Sequence, residues 1–417
     1  MSSDAGKFIL NTCAIEVDGE KYTFDLNHIL DLHYIEDITK SNIVVAVTLT
    51  DSQSSIISDL YGMEPILFSW STGEVTVELP MVVYDIQDRH VYGKSTKGTL
   101  YCISSDAVNN AGMKISRRFG SGGGEHIHTM VTKLINETLS STKGIVFDKS
   151  QTKFSFISPF WDPFTIISWL CWRAIPEPGE GGDTTSAGFL FWETPTHYHF
   201  KAMDTLVGQD SKKTIRVGFS SDEYDPDFID IDNLTFLGSS DVFRGLNLGS
   251  FRSTNMTLDL KDFTYREIPY DVNKYYDGMK KLNPGAKLPA FYDIFKDNVE
   301  EGTALGPTRI MSKVIDTAMY TEGKYTQDLT QQLSQSMIRN QFFFNQSASF
   351  TYKGEQDLQC GDVVEVETYA GKELTKDIIQ SGRYIVGKIY RSYSTNSEKL
   401  LTRVTIYRDS QGAEEDE

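Results

Sequence analysis

Period-two alternation of apolar and polar residues marks both ends of the chain. Near the N-terminus, NIVVAVTLT (42–50), EPILFSW (64–70), EVTVELPMVVYDI (74–86) and TLYCIS (99–104) are β-branched and aromatic stretches separated by turn formers. Their spacing predicts a small antiparallel barrel or sandwich over residues 1–108. The same texture returns in ASFTYKG (348–354), GDVVEVETY (361–369), GRYIVGKIYRSY (382–393) and EKLLTRVTIYRD (398–409). The two ends echo each other between 64–104 and 361–407: a short strand, a glycine turn, a variable link, then a long hairpin with a polar tip.

Between the ends the periodicity changes. RRFGSGGGEHIH (117–128) reads as a glycine hinge opening a helix that runs to about Ser140. The aromatic run FISPFWDPFTIISWLCWRA (156–174) holds a helix whose start is written in Asp162-Pro163, a capping carboxylate followed by proline at the first helical position. Phe164, Ile167, Cys171 and Ala174 share one face, Ile166, Trp169 and Arg173 another, and Pro176 ends it. A helix apolar nearly all round is a buried packing element, so Trp169 is expected in a core. GFLFWET and THYHFKAM form a predicted hairpin around Pro195, which completes a mixed α/β unit over 109–207. TIRVGFS (214–220) and STNMTLDLKDFTYRE (253–267) are strand-like, and 268–319 is helical or loop-like. A long polar helix is expected over 326–341, and 411–417 is an acidic, disordered tail. The expected fold is therefore mainly β with α+β insertions. Two antiparallel barrels, 1–108 and 208–267 with 320–410, are interrupted by the inserted units 109–207 and 268–319.

Composition narrows the function. The net charge of −18 disfavours binding nucleic acid or anionic membranes by charge attraction. Cys13, Cys102, Cys171 and Cys360 are far apart with no CxxC pair, which is neither a disulfide framework nor a zinc signature. The first residues lack a signal-peptide pattern and no apolar run spans a bilayer, so folding in a reducing cytoplasm without stable membrane insertion is expected.

Catalytic chemistry is sparse. GSGGGEH (120–126) lacks the lysine and threonine of a phosphate loop. His126 and His128 would diverge by roughly 200° on a helix and could not chelate together. His197 and His199 would share a strand face but lack a third ligand. SSDEYDPDFIDID, with Asp222 and Glu223 near its start, is carboxylate-rich yet has no EF-hand glycine or terminal glutamate. No GxSxG occurs, and a glycosidase carboxylate pair is not visible in sequence. No catalytic residue, cofactor site or metal site is assigned. A carbohydrate-binding or adhesin-type β protein and a polysaccharide hydrolase remain as alternatives.

The order of FISPFWDPFTIISWLCWRA, a Gly-rich loop and GFLFWET resembles the baseplate central hub proteins of contractile-tailed bacteriophages, which carry an I/F-x-P-W/F step, an aromatic helix and an F-x-F/W-x-W/E strand in that order. The C-terminal TQDLTQQLSQSMIRNQ, SASFTYKGEQDLQCGDVVEVETY, YIVGKIYRSYS and LTRVTIYRDS are similar too, with Cys360 where many relatives have proline. The hub part of type VI secretion spikes shares this architecture. The resemblance implies a virion structural protein with two tail-tube-like barrels per chain. It would form a homotrimer that adapts a trimeric spike or lysozyme-like partner to the sixfold tube, beside tape-measure and wedge proteins. DNA would meet it only in transit, at the tail baseplate of a virion assembled in the host cytoplasm.

Overall fold

The computed structural model describes residues 7–412 except 53–55, 73–74, 94, 152, 178–187, 220–224, 239–241, 250, 273–275, 277–278, 287–308, 323–335, 337–338, 345, 355–356, 371–374 and 398. The chain is mainly β, and a 14-stranded sheet runs through it. Seven strands come from the N-terminal part: β1 (Ile9–Val17), β2 (Glu20–Thr23), β3 (Ile29–Asp37), β4 (Val44–Asp51), β5 (Pro65–Thr72), β6 (Val75–Tyr92) and β7 (Ser95–Ile103). Seven more follow: β8 (Lys213–Val217), β9 (Phe228–Ile231), β10 (Leu234–Gly238), β11 (Gln346–Lys353), β12 (Val363–Glu367), β13 (Gly382–Ser394) and β14 (Leu400–Arg408).

The two halves have one strand order. The first reads β2-β1-β5-β6-β7-β4-β3 and the second β9-β8-β12-β13-β14-β11-β10, so each strand corresponds to the one seven places later. Five corresponding strands agree in direction along the ladder from β3 to β5 and from β10 to β12. The exception is β8, which runs parallel to β9 and β12 where β1 is antiparallel to β2 and β5. The echo at 64–104 and 361–407 is thus β5-β6-β7 against β12-β13-β14.

Each half curls over its own core. Tyr34, Val45, Phe68, Trp70 and Leu100 centre the first, and Ile215, Phe350, Val364, Ile385 and Ile406 the second. A third core belongs to the unit between them, where the aromatic helix (Pro163–Cys171) packs on the hairpin Phe189–Glu193/His197–Ala202. Asp162 caps that helix by accepting the Thr165 N–H at 2.9 Å. The strand FLFWE is buried on both faces because it divides two cores: Phe189 and Phe191 face the third core, Leu190 and Trp192 the second. That is why it reads as a continuous apolar run rather than an alternation.

Two expectations are revised by the pairing. Residues 253–267 were expected in the second barrel and 268–319 as helix or loop. Instead Arg252–Asp259 pairs with Tyr265–Asp271 and Arg309–Ile315 in a separate three-stranded sheet. The cause is visible in its inward face, Ser253, Asn255, Thr257 and Asp259, all buried and all polar. Such a face does not match the apolar interiors of the two halves, although the Ser253 hydroxyl and the Asn255 amide stay buried without partners among the described residues in this sheet too. Asp259 finds partners here in the hydroxyl and N–H of Thr317. The glycine hinge at 120–124 is a packed turn: Gly124 N–H bonds Gly120 C=O, and a Cβ on Gly120 would lie 2.2 Å from the Phe154 carbonyl oxygen. Most of the polar helix expected at 326–341 lies outside the described residues, as do 290–298 and the tail from 413.

Candidate functional site

The feature that joins the two halves is a ladder between residues some 355 positions apart. Strand β3 pairs antiparallel with the distal part of β13, from Asp37 opposite Lys388 to Asp31 opposite Ser394. Inward-facing side chains lock this ladder. The Glu36 carboxylate is fully buried, accepting from the Tyr34 hydroxyl at 2.5 Å and the Cys360 N–H at 2.6 Å. The Arg391 guanidinium stands 3.8 Å from it, lies over the Tyr34 ring and donates to the Leu358 carbonyl at 3.1 Å. On the outer face His33 and Tyr390 stack, with a 2.7 Å bond between hydroxyl and Nδ1. Burial raises the Glu36 pKa, and Arg391 works against that rise.

The unit that lies between the two halves is fastened to both. Glu193 accepts from Ile43 N–H, the Ser104 hydroxyl and Lys143 Nζ at 2.8, 3.0 and 2.6 Å. Trp192 donates its indole N–H to the Cys360 carbonyl at 3.0 Å, beside Glu36's own contact. Arg339 reaches Asp409 at 2.7 Å and Asp204 at 3.7 Å, all three buried. Burial also raises the Glu193 pKa, against the pull of Lys143. Shifted carboxylates mark reactive sites where a substrate can reach them; these two are 0 % and 1 % exposed and already fully engaged. Their arrangement is that of structural rivets.

The aromatic helix has two roles rather than the single buried one expected. Phe164, Ile166, Ile167, Leu170 and Cys171 are in the core. Trp169 is only half-buried, against Phe154, Phe156 and Trp161, with Arg173 stacked 3.6 Å from its ring. Trp169, Trp172, Arg173, Lys313 and Tyr320 line a cleft of about 450 Å³ between this helix and the three-stranded sheet. Burial, then the charge of Arg173, lowers the Lys313 pKa to about 8.

The histidines read from sequence fall out differently from their helical projection. His126 precedes the helix, which starts at Ile127, so its ring stacks on His128 and both reach Ser150. His197 and His199 do share a strand face, 6.4 Å apart, but His199 lies flat on Trp192 and meets the Thr194 hydroxyl. Among the described residues no three His, Cys, Asp or Glu side chains converge as a metal site. Asp222 and Glu223 lie outside those residues. All four cysteines are buried and free, and burial raises the Cys13 thiol to about 12. No described helix is long and apolar enough to cross a membrane.

His199 has a pH consequence. Burial, then the charges of His197 and Lys201, lowers its pKa from 6.5 to about 4. The folded state therefore resists a proton that the unfolded chain accepts. Its stability is fully present above pH 6.5 and falls as pH drops toward 4, by roughly 3 kcal/mol at the low end. Urea unfolding at pH 7 and pH 4.5 should show a smaller pH difference for His199→Gln than for the wild type. Equal differences would mean that His199 does not carry the effect.

Similarity to known proteins enters through the fold. No family model matches the chain, and no curated protein matches it in sequence. Among solved structures, a tail protein from Neisseria meningitidis superposes with a TM-score of 0.58 at 10 % identity, over 95 % of this chain and 96 % of that one. The 43 kDa tail protein of prophage MuSo2 from Shewanella oneidensis does so with 0.53 at 9 % identity, over 96 % and 98 %. A type VI secretion component of E. coli, at TM-score 0.49 and 8 % identity over 98 % and 79 %, is too distant to support an argument. The chain shares the fold of these two tail proteins over nearly its whole length. That agrees with the hub resemblance carried by FISPFWDPFTIISWLCWRA and GFLFWET.

Proposed function

We propose that the chain is the central hub of a contractile-tail baseplate, a homotrimeric ring that adapts a threefold spike to a sixfold tail tube. The observation that carries this reading is the repetition of one seven-strand order in two halves joined edge to edge. Each half is a tail-tube-like barrel, and three copies of a two-barrel chain supply six near-equivalent barrels to the tube while keeping a true threefold for the spike. Tape-measure and wedge proteins are further partners in the virion tail. The net charge of −18 suits a channel through which DNA slides without being held. The chain supplies architecture and no catalytic centre, since the buried carboxylates Glu36 and Glu193 act as rivets. Native mass spectrometry of the chain with its spike partner should give three copies of the 47.0 kDa chain per spike trimer. A stable dimer, tetramer or hexamer of this chain in that complex would overturn the hub reading.

A second reading draws on the cleft. Trp169, Trp172 and Tyr320 around it would suit a sugar-binding β protein. Quenching of tryptophan fluorescence by soluble polysaccharide, abolished in Trp172→Ala, would favour it.

A further inference from the structure

The two halves share more than strand order. In the first, Met63 N–H bonds Val83 C=O and Val83 N–H bonds Glu64 C=O; in the second, Gly361 N–H bonds Val386 C=O and Val386 N–H bonds Asp362 C=O. The Glu64 side chain accepts the N–H of Tyr61, three residues earlier, and the Asp362 side chain that of Gln359, also three earlier. Beyond these anchors an arginine on the next long strand grips the same connection. Arg391 of β13 donates to Leu358 C=O, and Arg89 of β6 donates to Ser58 C=O and Leu60 C=O at 3.3 and 2.9 Å. Val83 to Arg89 is one residue longer than Val386 to Arg391, and β6 has a bulge between Gln87 and His90 that takes up the extra residue. Arg89 is therefore the first-half counterpart of Arg391.

The environments of the two arginines differ. Arg391 is buried because β3 lies along the outer edge of β13. Arg89 is exposed, and among the described residues no strand lies along that edge of β6 beyond Val83. The counterpart of β3 is β10, which among the described residues is likewise paired on one side only, with β11. Both unpaired edges carry large apolar side chains in the open: Val91 is 67 % and Tyr92 66 % exposed, Phe236 41 % and Leu237 58 %. Open edges with exposed apolar residues are a liability that soluble proteins cover.

We infer that β10 (Leu234–Gly238) of one copy pairs antiparallel with the Asp88–Tyr92 part of β6 in the next copy, repeating between chains the β3–β13 junction made within each chain. Arg89 then takes the place of Arg391. The occupant is a second copy of this chain because the missing partner of each edge is the other edge, and the internal junction is a worked example of their fit. This rests on the ring reading above and specifies its interface: a closed ring of three would alternate three internal and three chain-to-chain junctions.

Engineered cysteines test the pairing, since the four natural ones are buried. Copies carrying Val91→Cys together with Thr235→Cys, Phe236→Cys or Leu237→Cys cover the possible registers. Oxidation of the full chain at high concentration should give, for at least one pair, a covalent ladder that ends at three copies. Leu237→Arg, at an exposed position, and Arg89→Glu, its fold checked by circular dichroism because Arg89 also holds the Ser58 and Leu60 carbonyls, should each weaken self-association at least tenfold in analytical ultracentrifugation. Trimers that neither cross-link nor respond to these two changes would overturn the interface and leave the ring reading standing. Cross-links whose ladder ends at another number would support the edge pairing and overturn the trimer. A chain that neither self-associates nor cross-links would overturn both.

Discussion

Replacing Arg391 by methionine should lower the unfolding free energy by about 3–5 kcal/mol at pH 7.5, the cost of leaving a buried carboxylate without its cation. Glu36 would keep its bonds from Tyr34 and Cys360, but two neutral donors do not replace a charge in a fully buried site. The sign of the pH dependence follows. A carboxylate whose folded pKa is raised holds its proton more tightly in the native state, so its contribution is favourable at low pH and is lost as pH rises through the folded value. Losing Arg391 raises that pKa further, so the deficit should shrink as pH falls from 7.5 toward 5. The double variant Glu36→Gln, Arg391→Met should recover part of the loss at pH 7.5. Unfolding free energies from urea within about 1 kcal/mol of wild type for Arg391→Met would show that the pair does not hold the junction.

Trp192→Ala should cost a similar amount, about 3–5 kcal/mol. The ring is 1 % exposed, lies 4.8 Å from His199 in a parallel stack and holds the Cys360 carbonyl. It sits so close to the backbone that a Cβ on Gly361 would come within 2.5 Å of it. Trp192→Phe keeps most of the packing and strands one carbonyl, so roughly 1–2 kcal/mol is expected. Because Trp192 ties the unit between the halves to the second half, calorimetry of Trp192→Ala should also resolve two transitions where a single one is expected of the wild type. A single transition with an unchanged midpoint would remove this residue from the account.

What the sequence disclosed follows from how local each signal was. The Asp162-Pro163 start of the aromatic helix, the hairpin around Pro195 and the strands of both ends depend on neighbouring residues, and they were legible. The placement of 253–267 failed because strand propensity says nothing about which sheet a strand joins; the polar inward set Ser253, Asn255, Thr257 and Asp259 was the clue. The divergence of His126 and His128 failed on a boundary one residue away. The junction was not read at all, yet it leaves a trace. Leu32, Tyr34 and Glu36 alternate inward, as do Ile389, Arg391 and Tyr393, so one acid and one base sit among the core-facing positions of two strands whose inward faces are otherwise apolar and aromatic there. Only the fold shows that they face each other.

The pairing of β3 with β13 also has a kinetic side. His33 and Tyr390 are 357 residues apart, so during synthesis β3 waits about 20–70 s for its partner at 5–20 residues per second. Contacts of such sequence separation form late and slowly. Throughout that interval the emerging chain offers an open strand to any finished β13 nearby, including that of a sister chain on the same message. The expected misassembly is a domain-swapped oligomer with native-like junctions between the wrong chains. Slower translation late in the message would make it more abundant.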